Sequence, residues 1–330
     1  MSAVYPIVAA DIGGTHARFA IAEWDGVAVR PLNAVTKLQV ADYPSLEAAF
    51  AAFRDQSPHP LPRDAALAVA TTVREGTLAD EIDFPNSPWT LRPSLLREAL
   101  GFERLTLLND FGAICHAVNE ASPSELAHVC GPQTGLPTSG VITVMGPGTG
   151  LGVAFVTRAS ESARVYETEA SHISFAPLDE VEERILHQFQ TVHERVSVER
   201  VLAGSGLHVI YTVQCDISGV RPRSLDDRDL WSLALGGNDP IASAALDRYC
   251  LCLGSAAGDF ALAQGAKAIV IAGGLGQRIG ERLNTSGFRE RMVFKGRFSA
   301  LMDATPVYRT QQPEPGLAGA AIAFAKEHLQ

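Results

Sequence analysis

The sequence predicts an α/β protein built as two similar halves, each a central sheet with helices on its faces. Three observations carry this expectation. Short apolar, β-compatible runs alternate with helix-patterned stretches along the chain. A strand, glycine turn, strand unit at the N-terminus returns near residue 141. The 330 residues are enough for two domains, or one large one, around a substantial core.

The elements follow in order. Residues 4–10 are apolar, Asp11-Ile12-Gly13-Gly14-Thr15 interrupts them with adjacent glycines, and residues 19–24 resume a β-compatible pattern, which predicts a hairpin. Helical patterns at 45–53 and 94–100 flank a strand at 66–70. A strand at 105–108 ends in Asn109-Asp110 and leads into the helix-like stretch 111–121. Residues 141–145, the glycine-rich 146–152 and then 153–156 predict the second hairpin. A helix is expected at Glu180–Gln190, and the charged stretch 218–229 with Pro222 reads as a surface excursion. A strand at 268–272 precedes Gly273-Gly274 and a helix-like stretch at 275–283. No low-complexity linker separates the halves.

Composition narrows the function. Lys and Arg total 27 against 37 for Asp and Glu, a formal charge of -10, and no basic run occurs, so a dedicated nucleic-acid binder is excluded. An acidic chain still binds a nucleotide where backbone N–H groups and Mg²⁺ reverse the sign locally. The five cysteines are odd in number and form no CxxC pair, which fits reduced thiols. The N-terminal MSAVYPIVAAD has no basic stretch ahead of its short apolar run. Neither a signal peptide nor a membrane span is expected, and the expected location is cytoplasmic.

The first glycine turn has the chemistry of a phosphate loop. Without Cβ atoms at Gly13 and Gly14, backbone N–H groups can converge on a phosphate, Thr15 adds a hydroxyl, and Asp11 can hold Mg²⁺ through water. Neither GxGxxG nor GxxxxGK[ST] is present, so a dinucleotide fold and a P-loop are disfavoured. Taken alone, the turn is equally an ordinary hairpin turn. The second loop, Gly146-Pro147-Gly148-Thr149-Gly150-Leu151-Gly152, has glycine at every other position, more than a turn requires. Gly273-Gly274 would let a purine or ribose lie on the backbone, or would serve close helix–strand packing.

Asp110 is either a helix N-cap or a carboxylate that accepts a proton from an alcohol attacking phosphorus. Glu169, His172 and Glu199 suit the neighbouring hydroxyls of a polyol. Their bland alternatives are a surface acid, a core histidine and a helix-surface acid. No zinc pattern or Ser-His-Asp order is present.

Together the strings DIGGTHARFAIAE, LLNDFGAICHAV, GPGTGLGVAF, SHISFAP, VSVERVLAGSGL, VIAGGLGQRI and EPGLAGAA resemble the bacterial glucokinase family, in order from residue 5 to about 321. The resemblance implies a two-domain actin-like ATPase fold of the hexokinase, ribonuclease H-like type, with ATP and sugar in the interdomain cleft. It implies a small domain of residues 1–110 plus about 313–330, onto which the C-terminal helix packs, and a large domain of 111–312. Its activity is ATP-dependent phosphorylation of glucose with Mg²⁺; the rival readings are a weak sugar sensor or a kinase of another hexose. By the same resemblance Asp110 is the catalytic base, and Asn109, Glu169, His172 and Glu199 are glucose ligands. Gly13, Gly14, Thr15, Gly148, Thr149, Gly150, Gly273 and Gly274 form the nucleotide loops, and the assembly is a homodimer joined through the larger domain.

Some positions depart from the family pattern. His16 replaces an Asn, Ala70-Thr71 a Gly-Pro, and Pro85 a Thr. Ala170-Ser171 replaces Gly-Gly, and a Cβ at each would strain a loop that needs a positive φ or a close backbone approach to the sugar.

Overall fold

In a computed structural model the described residues are 4–30, 32, 34–71, 81–83, 89–159 and 162–330. Pro85 lies outside them. The chain forms two compact units, Met1–Ala121 with Gln312–Gln330, and Ser122–Gln311.

The first unit holds β1 (Tyr5–Ile12), β2 (His16–Trp24), β3 (Thr36–Gln39), α1 (Leu46–Gln56), β4 (Asp64–Val69), the short pair β5 (Ile82–Asp83) and β6 (Thr90–Leu91), α2 (Pro93–Leu100), β7 (Arg104–Asn109) and α3 (Asp110–Glu120). Its main sheet runs β3-β2-β1-β4-β7. β1 pairs antiparallel with β2 and parallel with β4, and β4 pairs parallel with β7. β4 is buried at every residue, as a central strand covered on both faces must be. Local chemistry sets the helix ends. Ser45 caps α1 by accepting from Ala48 N, and α2 starts on Pro93 and stops at Gly101 in the left-handed region.

The second unit holds β8 (Leu126–Cys130), β9 (Gly140–Pro147), β10 (Leu151–Ala159), β11 (Ser162–Thr168), α4 (Glu180–Gln190), α5 (Val198–Leu202), α6 (Gly206–Ile217), α7 (Asp227–Gly236), α8 (Pro240–Gln264), β12 (Ala266–Ile271), α9 (Gly273–Ile279), α10 (Arg282–Thr285), α11 (Phe288–Val293), α12 (Ser299–Asp303) and β13 (Val307–Thr310). Its sheet runs β11-β10-β9-β12-β13-β8. The first five strands repeat the order and directions of the first sheet: two antiparallel pairings, then two parallel ones. The duplication seen as two glycine hairpins thus extends over a whole five-stranded sheet. α8 is the long core helix, and α11 packs close to it because Gly254 and Gly258 lack side chains. A Cβ there would meet Phe288 O at 2.1 Å and Met292 O at 2.4 Å.

The chain closes with α13 (Pro315–His328), which returns to the first unit. A Cβ at Gly319 would lie 1.7 Å from Ala113 O, so α13 and α3 touch backbone to backbone. Both helices lie in the first compact unit, which runs to Ala121 and resumes at Gln312. The stretch 218–226 is an exposed connection, and α7 takes over at Asp227. Among the described residues no helix is long and apolar enough to cross a membrane.

Candidate active site

In the first unit the candidate residues gather at the ends of the parallel strands, where open α/β sheets bind ligands. Register places Asp11 beside Ala68 and Leu108, and Ile12 beside Val69 and Asn109. Asn109 is therefore level with Ile12, two strand spacings or roughly 10 Å across the sheet, and one residue beyond the row of Asp11. The Gly13-Gly14-Thr15 turn is closed by Gly13 N donating to His16 O at 2.9 Å, and Thr15 is exposed. The position of His16 is thus held through its backbone carbonyl.

Asp11 is mostly buried. Its cross-strand partner Arg18 donates to Oδ2 at 3.0 Å and also reaches Glu314 at 3.5 Å. Burial pushes the Asp11 carboxyl above its usual pKa, and Arg18 offsets part of that. Glu314, which precedes α13, is likewise raised by burial, against the opposing charge of Arg18. Gly316 lets the first turn of α13 approach the Asp11 carboxylate: a Cβ there would lie 3.1 Å from Oδ2. Neither Arg18 nor Glu314 was expected. The pairing of Asp11 with Arg18 seven residues later across a hairpin was the available clue.

At the end of β7 the two adjacent polar residues divide the work. Asn109 is the N-cap of α3: its Oδ1 accepts from Phe111 N at 2.9 Å and Gly112 N at 3.1 Å, while Nδ2 donates to Thr71 O at 3.0 Å. Asp110 is the first helical residue, half-buried, and also accepts from Phe111 N at 2.8 Å. The capping role considered for Asp110 therefore falls to Asn109, which fixes the backbone that presents Asp110. Thr71 supplies a carbonyl there, and Ala70 N donates to Ile12 O at 2.9 Å, so Ala70-Thr71 serves as a strand-end brace.

In the second unit the structure brings Glu169, His172 and Glu199 together. Residues 173–175 pair with 196–198, through Val198 N to Ile173 O at 2.9 Å and Phe175 N to Val196 O at 3.0 Å. This sets the turn Ala170–His172 beside the start of α5, where Ser197 is the N-cap. His172 Nε2 lies 3.7 Å from Glu169 Oε2 and 3.8 Å from Glu199 Oε1. Arg195 holds the His172 carbonyl at 2.6 Å. The His172 side chain is 54% exposed, so it is not the satisfied core histidine that was the alternative.

Ala170 and Ser171 occupy a right-handed 3-10 turn, with His172 N donating to Glu169 O at 3.0 Å. That backbone suits any residue, and Ser171 is buried. The positive φ that was one ground for expecting strain at these positions is therefore absent.

The second glycine loop closes through Gly148 N to Gly150 O at 2.8 Å, with Thr149 exposed. A side chain at Gly148 would meet nothing within 4 Å, whereas one at Gly150 would run into Glu199 Oε2 at 2.6 Å. That same oxygen accepts from Leu151 N at 3.1 Å. Gly273, with φ at +77°, lies against this loop: a Cβ there would sit 3.1 Å from Pro147 O. Gly274 beside it is exposed. Gly204, inside the string VSVERVLAGSGL but not among the expected site residues, donates to Gly148 O at 2.8 Å, and Trp231 Nε1 donates to Gly204 O at 2.8 Å. Gly148, Thr149, Gly150, Gly273 and Gly274 thus form one locality floored by backbone.

Comparison with known proteins shows the family and the fold. The glucokinase family model matches residues 8–327. A glucokinase of Zymomonas mobilis is 49% identical over 324 residues, covering 98% of this chain and 99% of that protein. The crystal structure of a glucokinase from an Antarctic psychrotroph superposes with a TM-score of 0.81 at 33% identity, covering 97% of this chain and 99% of that one. A ROK-family glucokinase from Streptomyces griseus, solved in complex with glucose and AMPPNP, shares the fold at a TM-score of 0.65 and 16% identity, covering 96% and 98% of the two chains. The fold is that of the actin-like ATPases, with its sheet duplicated, and the chain belongs to the glucokinase family.

Proposed function

We propose that the protein transfers the terminal phosphoryl group of ATP to the 6-hydroxyl of glucose, yielding glucose 6-phosphate and ADP. The observation that carries this reading is the cluster of Glu169, His172 and Glu199, in which Glu199 also touches the second glycine loop. A polyol site and a phosphate loop thus share a wall.

In this reading Glu169, His172 and Glu199 grip sugar hydroxyls, together with Asn109. The loops at Gly13-Gly14-Thr15, Gly148-Thr149-Gly150 and Gly273-Gly274 take the nucleotide. The Asp110 carboxylate accepts the proton of the 6-hydroxyl as its oxygen bonds the γ-phosphorus and the bond from that phosphorus to the β,γ-bridging oxygen breaks. Phosphoryl transfer depends on positioning more than on base strength, so a carboxylate at a helix N-terminus is adequate. Mg²⁺ fits a single hard oxygen donor of the Asp11 type, since it keeps several waters and binds chiefly to substrate phosphates. When bound, Mg²⁺ would neutralise phosphate charge. A homodimer in the cytoplasm completes the reading.

The test is a coupled assay with ATP, Mg²⁺ and glucose. Glucose 6-phosphate should accumulate over many turnovers, with little ATP hydrolysis when glucose is omitted. Glucose binding by calorimetry without product would instead mark a sugar sensor.

A further inference from the structure

Glu199 stands between two ligand sites in one unit. Oε2 accepts the Leu151 N–H and lies where a side chain on Gly150 would project, 2.6 Å from the position of its Cβ. Oε1 faces His172 Nε2 at 3.8 Å, on the side of Glu169. The side chain is 29% exposed, against 58% for Glu169. α5 fixes its base, with the Ser197 hydroxyl capping Arg200 N at 3.3 Å. A rotation that frees Oε2 from the loop also moves Oε1 relative to His172, because one planar carboxylate carries both.

We infer that Glu199, besides holding the sugar, couples the sugar cluster to the phosphate loop, and that Gly150 is glycine to leave room for this carboxylate. This rests on the functional reading above. Gly150 and Gly148 are then not equivalent, although both belong to the same loop. An added methyl meets open space at Gly148 but displaces Glu199 at Gly150, and neither position has a positive φ that would strain alanine. The obstructing atom is the end of a flexible side chain, so the Gly150→Ala protein folds and the carboxylate gives way. A substitution in the phosphate loop thereby weakens sugar binding with no nucleotide present.

Glucose titrated calorimetrically into nucleotide-free protein tests this. Gly150→Ala should raise the dissociation constant by about tenfold, the effect expected when one charge-assisted hydrogen bond to the sugar is broken. Gly148→Ala should match wild type in this measurement. Equal affinities for Gly150→Ala and wild type, or equal losses in the two variants, overturn the coupling. A wild-type protein that binds no glucose overturns the functional reading beneath it.

The reciprocal measurement is ADP binding without sugar. Glu199→Ala should weaken it several-fold, whereas Glu199→Gln, which retains an acceptor for Leu151 N–H, should restore it. ADP affinity that is the same in Glu199→Ala and wild type also overturns the proposal.

Discussion

Within the second unit, single residues decide how much room the loops have. Glu199 fills the space a side chain on Gly150 would take, Gly204 lets its backbone reach Gly148, and Gly273 brings a helix start against Pro147. Ala170 and Ser171 show the opposite economy, because a right-handed turn with a buried serine has no need of glycine. The double change Ala170→Gly with Ser171→Gly should therefore leave kcat/KM for glucose unchanged or lower it. It should also cost stability, about 0.5–1 kcal/mol per glycine from unfolded-chain entropy. Steady-state kinetics and thermal melts would check both, and a clear rise in kcat/KM on glucose would mean that the turn is strained after all.

Individual elements are held by polar contacts whose sign is testable. On β4, buried Asp64 accepts from Arg104 at 2.8 and 3.1 Å and from the Tyr5 hydroxyl, joining β1, β4 and β7. Arg104 also stacks on Phe324 of α13, 5.3 Å from the ring centre. Burial opposes ionisation of Asp64, but the hydrogen bonds from Arg104 and Tyr5, with the Arg104 charge, outweigh it and lower the pKa. A depressed folded pKa gives stability that is full above the ordinary carboxylate value, about 4, and is lost as pH falls through the folded value. Asp64→Asn should therefore melt lower than wild type at pH 7, and the gap should narrow as the pH is lowered from about 5 to about 2. Melting curves across that range would show it, and a gap independent of pH would remove Asp64 ionisation from the account.

At the scale of the whole molecule, the two hairpins were legible because adjacent glycines between apolar runs leave few alternatives. The repeat of the five-strand order was not, since β3, β11 and β13 are short or exposed and carry little apolar alternation. α8 escaped because it is buried on most of its surface and rich in Ala and Gly, so no single stripe marks its period. At the site, residue types pointed to Asp110, Glu169, His172 and Glu199, but sequence could not say that Asn109 rather than Asp110 caps α3. It also could not show that residues 173–175 pair with 196–198, which is what gathers the cluster. Arg18 and Glu314 were hidden because their partner Asp11 is met through a hairpin register and a helix from the far end of the chain.

The central claim is that Asp110, presented by the Asn109-capped helix, takes the proton from a glucose hydroxyl during phosphoryl transfer. The most direct measurement is Asp110→Asn, assayed for turnover and, separately, for glucose binding by calorimetry. Asparagine keeps the size and most of the hydrogen bonding but removes the proton acceptor, so kcat should fall by about 10² to 10⁴-fold while glucose still binds. Turnover close to wild type in a variant that binds glucose normally would contradict the account.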